Sequence, residues 1–136
     1  MQLIDTCELV EVVTFDVYAK RNEAFSNEHM GSEFQVRPNY QLSTAVKDDK
    51  SGFLLRLRID IDIPHGRMST EVGAAYAVTT ILSESVNLSA ESLVVFANEV
   101  GVDVLMPYLR EIISETSRRV LGLPIVLPLL RKGELS

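Results

Sequence analysis

Two carboxylates and an imidazole crowd one short stretch, Asp60, Asp62 and His65, and together they could form the donor set of a metal site. Pro64 turns the chain just before His65, so solvated strand charges are the simpler reading of the two acids. Glu111 and Glu115 lie one helical turn apart and could act as an acid–base pair. Arg118 and Arg119 follow Glu115 at three and four residues, however, which marks a solvated or interface ion-pair face. Cys7 lacks a C-x-x-C partner and reads as a buried or inert thiol, not a nucleophile. His29 is the other of the two histidines. No G-x-G-x-x-G, Walker or G-x-S-x-G sequence occurs. The expectation is therefore no catalytic site, no metal and no cofactor, and a protein that is not an enzyme.

The elements that would position a binding site are more informative, above all Met106 to Leu130. From Asp103 onward Val104, Leu105, Tyr108, Leu109, Ile112, Ile113, Thr116 and Val120 recur every three to four residues, which places them along one side of a helix. Asp103 is the expected cap and Pro107 falls in the first turn. Arg118 and Arg119 suit the negative end of the helix dipole, and Gly122 then Pro124 stop it. Beyond lies an apolar run, Leu123, Ile125, Val126, Leu127, Leu129 and Leu130, interrupted by two prolines. It cannot be helical and reads as an extended arm or edge.

Upstream, four segments show the period of two that marks strands. In Val13 to Arg21, Val13, Phe15, Val17 and Ala19 are expected on one face and Thr14, Asp16, Tyr18 and Lys20 on the other. A polar connection leads to Phe34 to Val46, where Pro38 implies an edge or a bend. Phe53 to Ile63 alternates most cleanly, which fixes its register. Pro64-His65-Gly66 then turns into Arg67 to Leu82. Consecutive strands with short turns pair antiparallel. A shorter helix from about Ser89, with Ser89 as its cap, precedes the long one. The fold class is α+β: a four-stranded antiparallel sheet with a short and a long helix on one face.

Composition narrows the partners. At 136 residues the chain is read as one domain, with 46% apolar residues and a net charge of -6. That charge argues against nucleic acid, whose phosphates it would repel. No uncharged run approaches the 18 or so residues that span a bilayer. The acidic N-terminus does not fit a signal peptide, and a lone cysteine suits a reducing, cytoplasmic setting. Apolar residues spread over more than one side of the long helix and over both sheet faces point to association into a dimer or tetramer.

One family resemblance covers most of the chain. PYLREIIS at Pro107 to Ser114, followed by Gly122 and the Pro-rich apolar tail, resembles the C-terminal half of the export chaperone SecB. FLLRLRIDIDI at Phe53 to Ile63 and TEVGAAYAV at Thr70 to Val78 resemble its third and fourth strands. The resemblance implies a chaperone for unfolded polypeptides and a dimer of dimers held through the long helix, here at Tyr108, Leu109, Ile112, Ile113 and Thr116. It implies that Phe34, Val36, Tyr40 and Leu42 neighbour Leu123, Ile125, Leu127, Leu129 and Leu130, lining one groove for extended clients. The family's acidic surface for the translocation motor SecA falls at Asp16 and Glu71. Lys20 replaces a further acid, and the family's additional helix and motor-binding tail have no counterpart after Leu130. These departures count against export. They leave open a solitary SecB-like chaperone of a toxin–antitoxin system, with an antitoxin as partner, or a non-chaperone oligomerisation or adaptor module.

Overall fold

The computed structural model describes residues 6–24, 37–79 and 88–128. Four strands, β1 (Cys7–Arg21), β2 (Asn39–Val46), β3 (Gly52–Ile63) and β4 (Gly66–Val78), form an antiparallel sheet in the order β1-β4-β3-β2. The α+β class and the four-stranded sheet expected from the sequence are both present. β2 begins just after Pro38, whose missing N–H could not serve the ladder.

The alternation of β3 decides which face is core. Leu55, Leu57 and Ile59 have no exposure, and Ile61 has 1%. They stand beside Ala74, Val72, Thr70 and Met68 of β4, in register. Phe53 and Tyr76 stack at 5.2 Å, and Phe96 from the helical layer meets both edge-on, at 5.5 and 5.0 Å. Edge-to-face packing suits the ring quadrupoles and adds to burial.

β1 departs from simple alternation. It starts at Cys7, six residues before the expected Val13, and carries bulges at Val10 and Phe15. Each extra residue reverses which face the following side chains take. The expected single face of Val13, Phe15, Val17 and Ala19 is thus divided. Val17 and Ala19 pair with the core-facing Thr70 and Met68, whereas Val13 pairs with Gly73 on the outer face. Phe15 lies over Gly73, where a Cβ would sit 2.5 Å from the ring, and under the Arg56 guanidinium at 3.9 Å.

The helical layer also differs from expectation. Instead of two separate helices, α1 (Ala90–Phe96) runs through a five-residue π turn (Ala97–Gly101) directly into α2 (Val102–Val120). Ser89 caps α1 as expected, its hydroxyl accepting from the Ser92 N–H. Asp103 caps nothing; it is an exposed acid in the first turn of α2. At the π turn Gly101 lets the helix touch the sheet, since a Cβ there would lie 2.5 Å from Leu55 Cδ1. The joined helix is long and apolar enough to cross a bilayer by length and composition. Here its apolar stripe, Leu105, Leu109 and Ile113, is fully buried in the core that the helices form with the sheet.

Candidate polypeptide-binding surface

Helix α2 is followed by its C-cap, Leu121, which is buried against the β3–β4 turn: a Cβ on Gly66 would meet its Cδ2 at 2.5 Å. Gly122, with φ of 85°, then reverses the chain, and the arm follows. Its first contact is a buried bond in which the Ile125 N–H donates to Ser117 Oγ at 2.8 Å. Ile125 and Leu127 are each 3% exposed and belong to the core, with Leu123 packed against it. Val126, between them, is 81% exposed. The described part of the arm forms no helix, in keeping with its prolines. Its inward residues Ile125 and Leu127 complete the core, however, and do not line an open groove. Leu129 and Leu130 lie outside the described residues.

Tyr40 and Leu42 of β2 are partly buried and pack against the same core; Phe34 and Val36 lie outside the described residues. The backbone of β2 carries more information than its side chains. Lys47 N–H donates to the Gly52 carbonyl at 3.0 Å, continuing the register in which Val46 faces Phe53. Antiparallel ladders alternate bonded and non-bonded pairs, so Asn39, Gln41, Ser43 and Ala45 bond to β3. The N–H and C=O groups of Leu42, Thr44 and Val46 then point away from it. Among the described residues no strand pairs with β2 on that side. These residues put their side chains on the helix-facing side of the sheet, while Gln41, Ser43 and Ala45 face the other way. An added strand would find apolar neighbours on one face and polar ones on the other. Unlike many natural edges, Asn39–Val46 contains no Lys, Pro or bulge to discourage pairing.

The five helix residues expected at an oligomer interface separate into two groups. Leu109 and Ile113 have no exposure and are spent in the chain's own core. Tyr108 is 46% exposed, and Ile112 and Thr116 are partly exposed. Beside Ile112 and Thr116 stands Val17 of β1, lining the same shallow groove, and Leu9 on that face is 44% exposed. Leu9 lies before the strand expected from the sequence, and Val17, expected on one face with Ala19 and found there, was not expected at an interface.

The two acids expected to meet a motor face one another across β1 and β4 on the outer face. Neither stands alone. Arg56 bonds Glu71 at 3.0 Å, and Arg58 lies 3.8 Å from Asp16 and 3.4 Å from Asp60. Cations thus offset much of the negative field there.

The groups considered for chemistry are dispersed. Asp62 pairs with Arg67 on the exposed outer face at 3.4 Å, whereas His65 is buried in the β3–β4 turn. Glu115 accepts from Arg118 at 2.9 Å and Arg119 at 2.7 Å, which holds its carboxyl below the usual range. Burial pushes the Cys7 thiol up, away from the reactive thiolate. Among the described residues no three His, Cys, Asp or Glu side chains gather as metal ligands.

Solved structures that share this architecture include the following two. A SecB-like chaperone of Mycobacterium tuberculosis, in complex with a ChAD peptide from the HigA1 antitoxin, superposes with a TM-score of 0.76. It is 17% identical, and the match covers 95% of this chain and 91% of that one. A protein of unknown function from Streptococcus agalactiae matches with a TM-score of 0.52 and 12% identity, over 90% of this chain and 97% of that one. No family model matches the chain, and no curated protein matches it in sequence. The likeness is one of fold: this chain has the SecB-like arrangement of a four-stranded antiparallel sheet and a long jointed helix on one face.

Proposed function

We propose that this protein is a chaperone that holds extended, partly apolar polypeptide segments by strand addition along β2. The observation that carries this reading is the edge itself, where the N–H and C=O groups of Leu42, Thr44 and Val46 face outward beside apolar side chains. Main-chain bonds of this kind are blind to sequence, and the side chains next to them select for alternating apolar residues. The SecB-like fold supports the reading. Association through Tyr108, Ile112 and Thr116 with Leu9 and Val17 would place several such edges on one particle, so that weak contacts gain by multivalency.

Two observations favour an antitoxin over exported precursors as the client. The mycobacterial chaperone of this fold was captured with an antitoxin peptide. The acids Asp16 and Glu71, which an export motor would read, are here offset by Arg58 and Arg56.

Thr44→Pro tests the proposal. It removes one outward N–H and leaves the bonds that Ser43 and Ala45 make to β3 untouched. The variant is expected to keep its fold by circular dichroism. It should bind a fluorescent extended peptide at least tenfold more weakly and fail to suppress aggregation of an unfolded test protein. A folded variant that binds like the wild type would remove the edge from the mechanism.

A further inference from the structure

The outer face of the sheet, away from the helices, is neither plainly polar nor plainly apolar, and its pattern has an order. Two rows cross it from edge to edge. One reads Glu8, Ala77, Gly52, Lys47; the next reads Glu11, Ala75, Leu54, Ala45. Both therefore begin with an acid on the β1 edge, and the first ends with a lysine on the β2 edge, three strand spacings or roughly 14 Å away. Between them small side chains leave an apolar hollow of ≈ 420 Å³. The bulge at Val10 lifts that side chain beside the hollow, 61% exposed. Among the described residues none of Glu8, Glu11 and Lys47 is in an ion pair.

We propose that this face packs against the same face of a second copy, across a two-fold axis that runs along the strands between β3 and β4. That axis keeps each row opposite itself and exchanges the two edges, so Glu8 of each copy lies over Lys47 of the other, with Glu11 in the neighbouring row over Ala45. Val10 of each lies over the small Ala45 side of the other. Leu54 meets Ala75, and Ala77 meets Gly52, which permits close approach. A two-fold axis across the strands would instead place acid over acid, so the charges choose between the two. Further along, the same operation sets Glu71 over Arg58 and Arg67 over Asp62, and no like charges oppose one another in those two β3–β4 pairs. Two sheets packed in this way are aligned, about 10 Å apart, with a self-complementary contact as a two-fold requires. The surface is separate from the helix stripe at Ile112, and both can be used at once.

The test uses two variants that should fail alone and succeed together. Lys47→Glu puts an acid opposite Glu8, with Glu11 one row away; Glu8→Lys with Glu11→Lys puts a base opposite Lys47, with a second base beside it. All three positions are exposed, so both proteins should fold, which circular dichroism verifies. In sedimentation at low salt each is expected to self-associate through this face at least tenfold more weakly than wild type. An equimolar mixture should recover the wild-type mass, because every contact is then again of opposite sign, and 1 M salt should weaken the wild-type contact. Variants that associate like the wild type would overturn the proposal, the face then being covered by something other than a copy. A mixture that behaves as the sum of its parts would overturn it as well.

Discussion

His65 is the side chain whose charge state has the clearest consequence. It is 3% exposed in the β3–β4 turn, where its carbonyl accepts from the Asn22 N–H at 2.8 Å and Asn22 Nδ2 donates to the Pro64 carbonyl at 3.1 Å. Burial, and then the charge of Arg21, hold its pKa below the ordinary 6.5. The folded protein therefore takes up the proton at lower pH than the unfolded chain does. Between those two values the unfolded state binds more protons, and stability rises with pH. The contribution of His65 is complete above pH 6.5 and is lost as the pH falls through its folded value. Urea unfolding midpoints are expected to drop from pH 7 towards pH 5, and His65→Gln should flatten that slope whatever its effect on stability at pH 7. An unchanged slope in the variant would assign the dependence to other groups.

At the level of elements, Ile112 and Ile113 are adjacent in sequence yet belong to different surfaces. Ile113 is fully buried, so Ile113→Asp places an unpaired carboxylate in the core at a cost of several kcal/mol, and the protein should not fold. Ile112 borders the groove with Val17, and Ile112→Asp should leave the helix content intact while it lowers the mass measured by light scattering. A folded Ile113→Asp, or an Ile112→Asp of wild-type mass, would reverse the assignment. Periodicity alone could not separate the two residues, because a wide apolar stripe does not reveal where the chain's own sheet ends. The same limit applied elsewhere. β3 was legible in full, since one residue in two is apolar and nothing interrupts it. β1 was not, because Val10 and Phe15 each insert a residue and shift the faces while the composition still reads as alternating. The joint between α1 and α2 was hidden for a related reason: a π turn has no sequence signature of its own, and Gly101 with Asp103 imitates a break and a cap. The prolines of the arm told that the helix would not continue, but not that Ile125 and Leu127 would be consumed by the core.

The whole molecule is one-sided. Among the described residues helices and arm cover one face of the sheet, and the middle of the other carries opposite charges in pairs, Arg56 with Glu71, Arg58 with Asp16 and Asp60, and Arg67 with Asp62, so a net charge of -6 does not become a strongly negative surface there. This distribution makes an argument about partners that net charge cannot. A cationic site on a translocation motor would have to displace Arg56 from Glu71 and Arg58 from Asp16, and exposed ion pairs of this kind are individually weak but compete directly with the newcomer. Affinity for SecA is accordingly expected to be weak and to fade with salt. Replacing both arginines frees the acids: Arg56→Gln with Arg58→Gln should strengthen binding of a cationic partner, whereas Asp16→Lys or Glu71→Lys should abolish what remains. Calorimetry at two salt concentrations reads both signs. Tight, salt-insensitive binding by the wild type would mean that the motor uses another surface, and it would return export to the function of this fold.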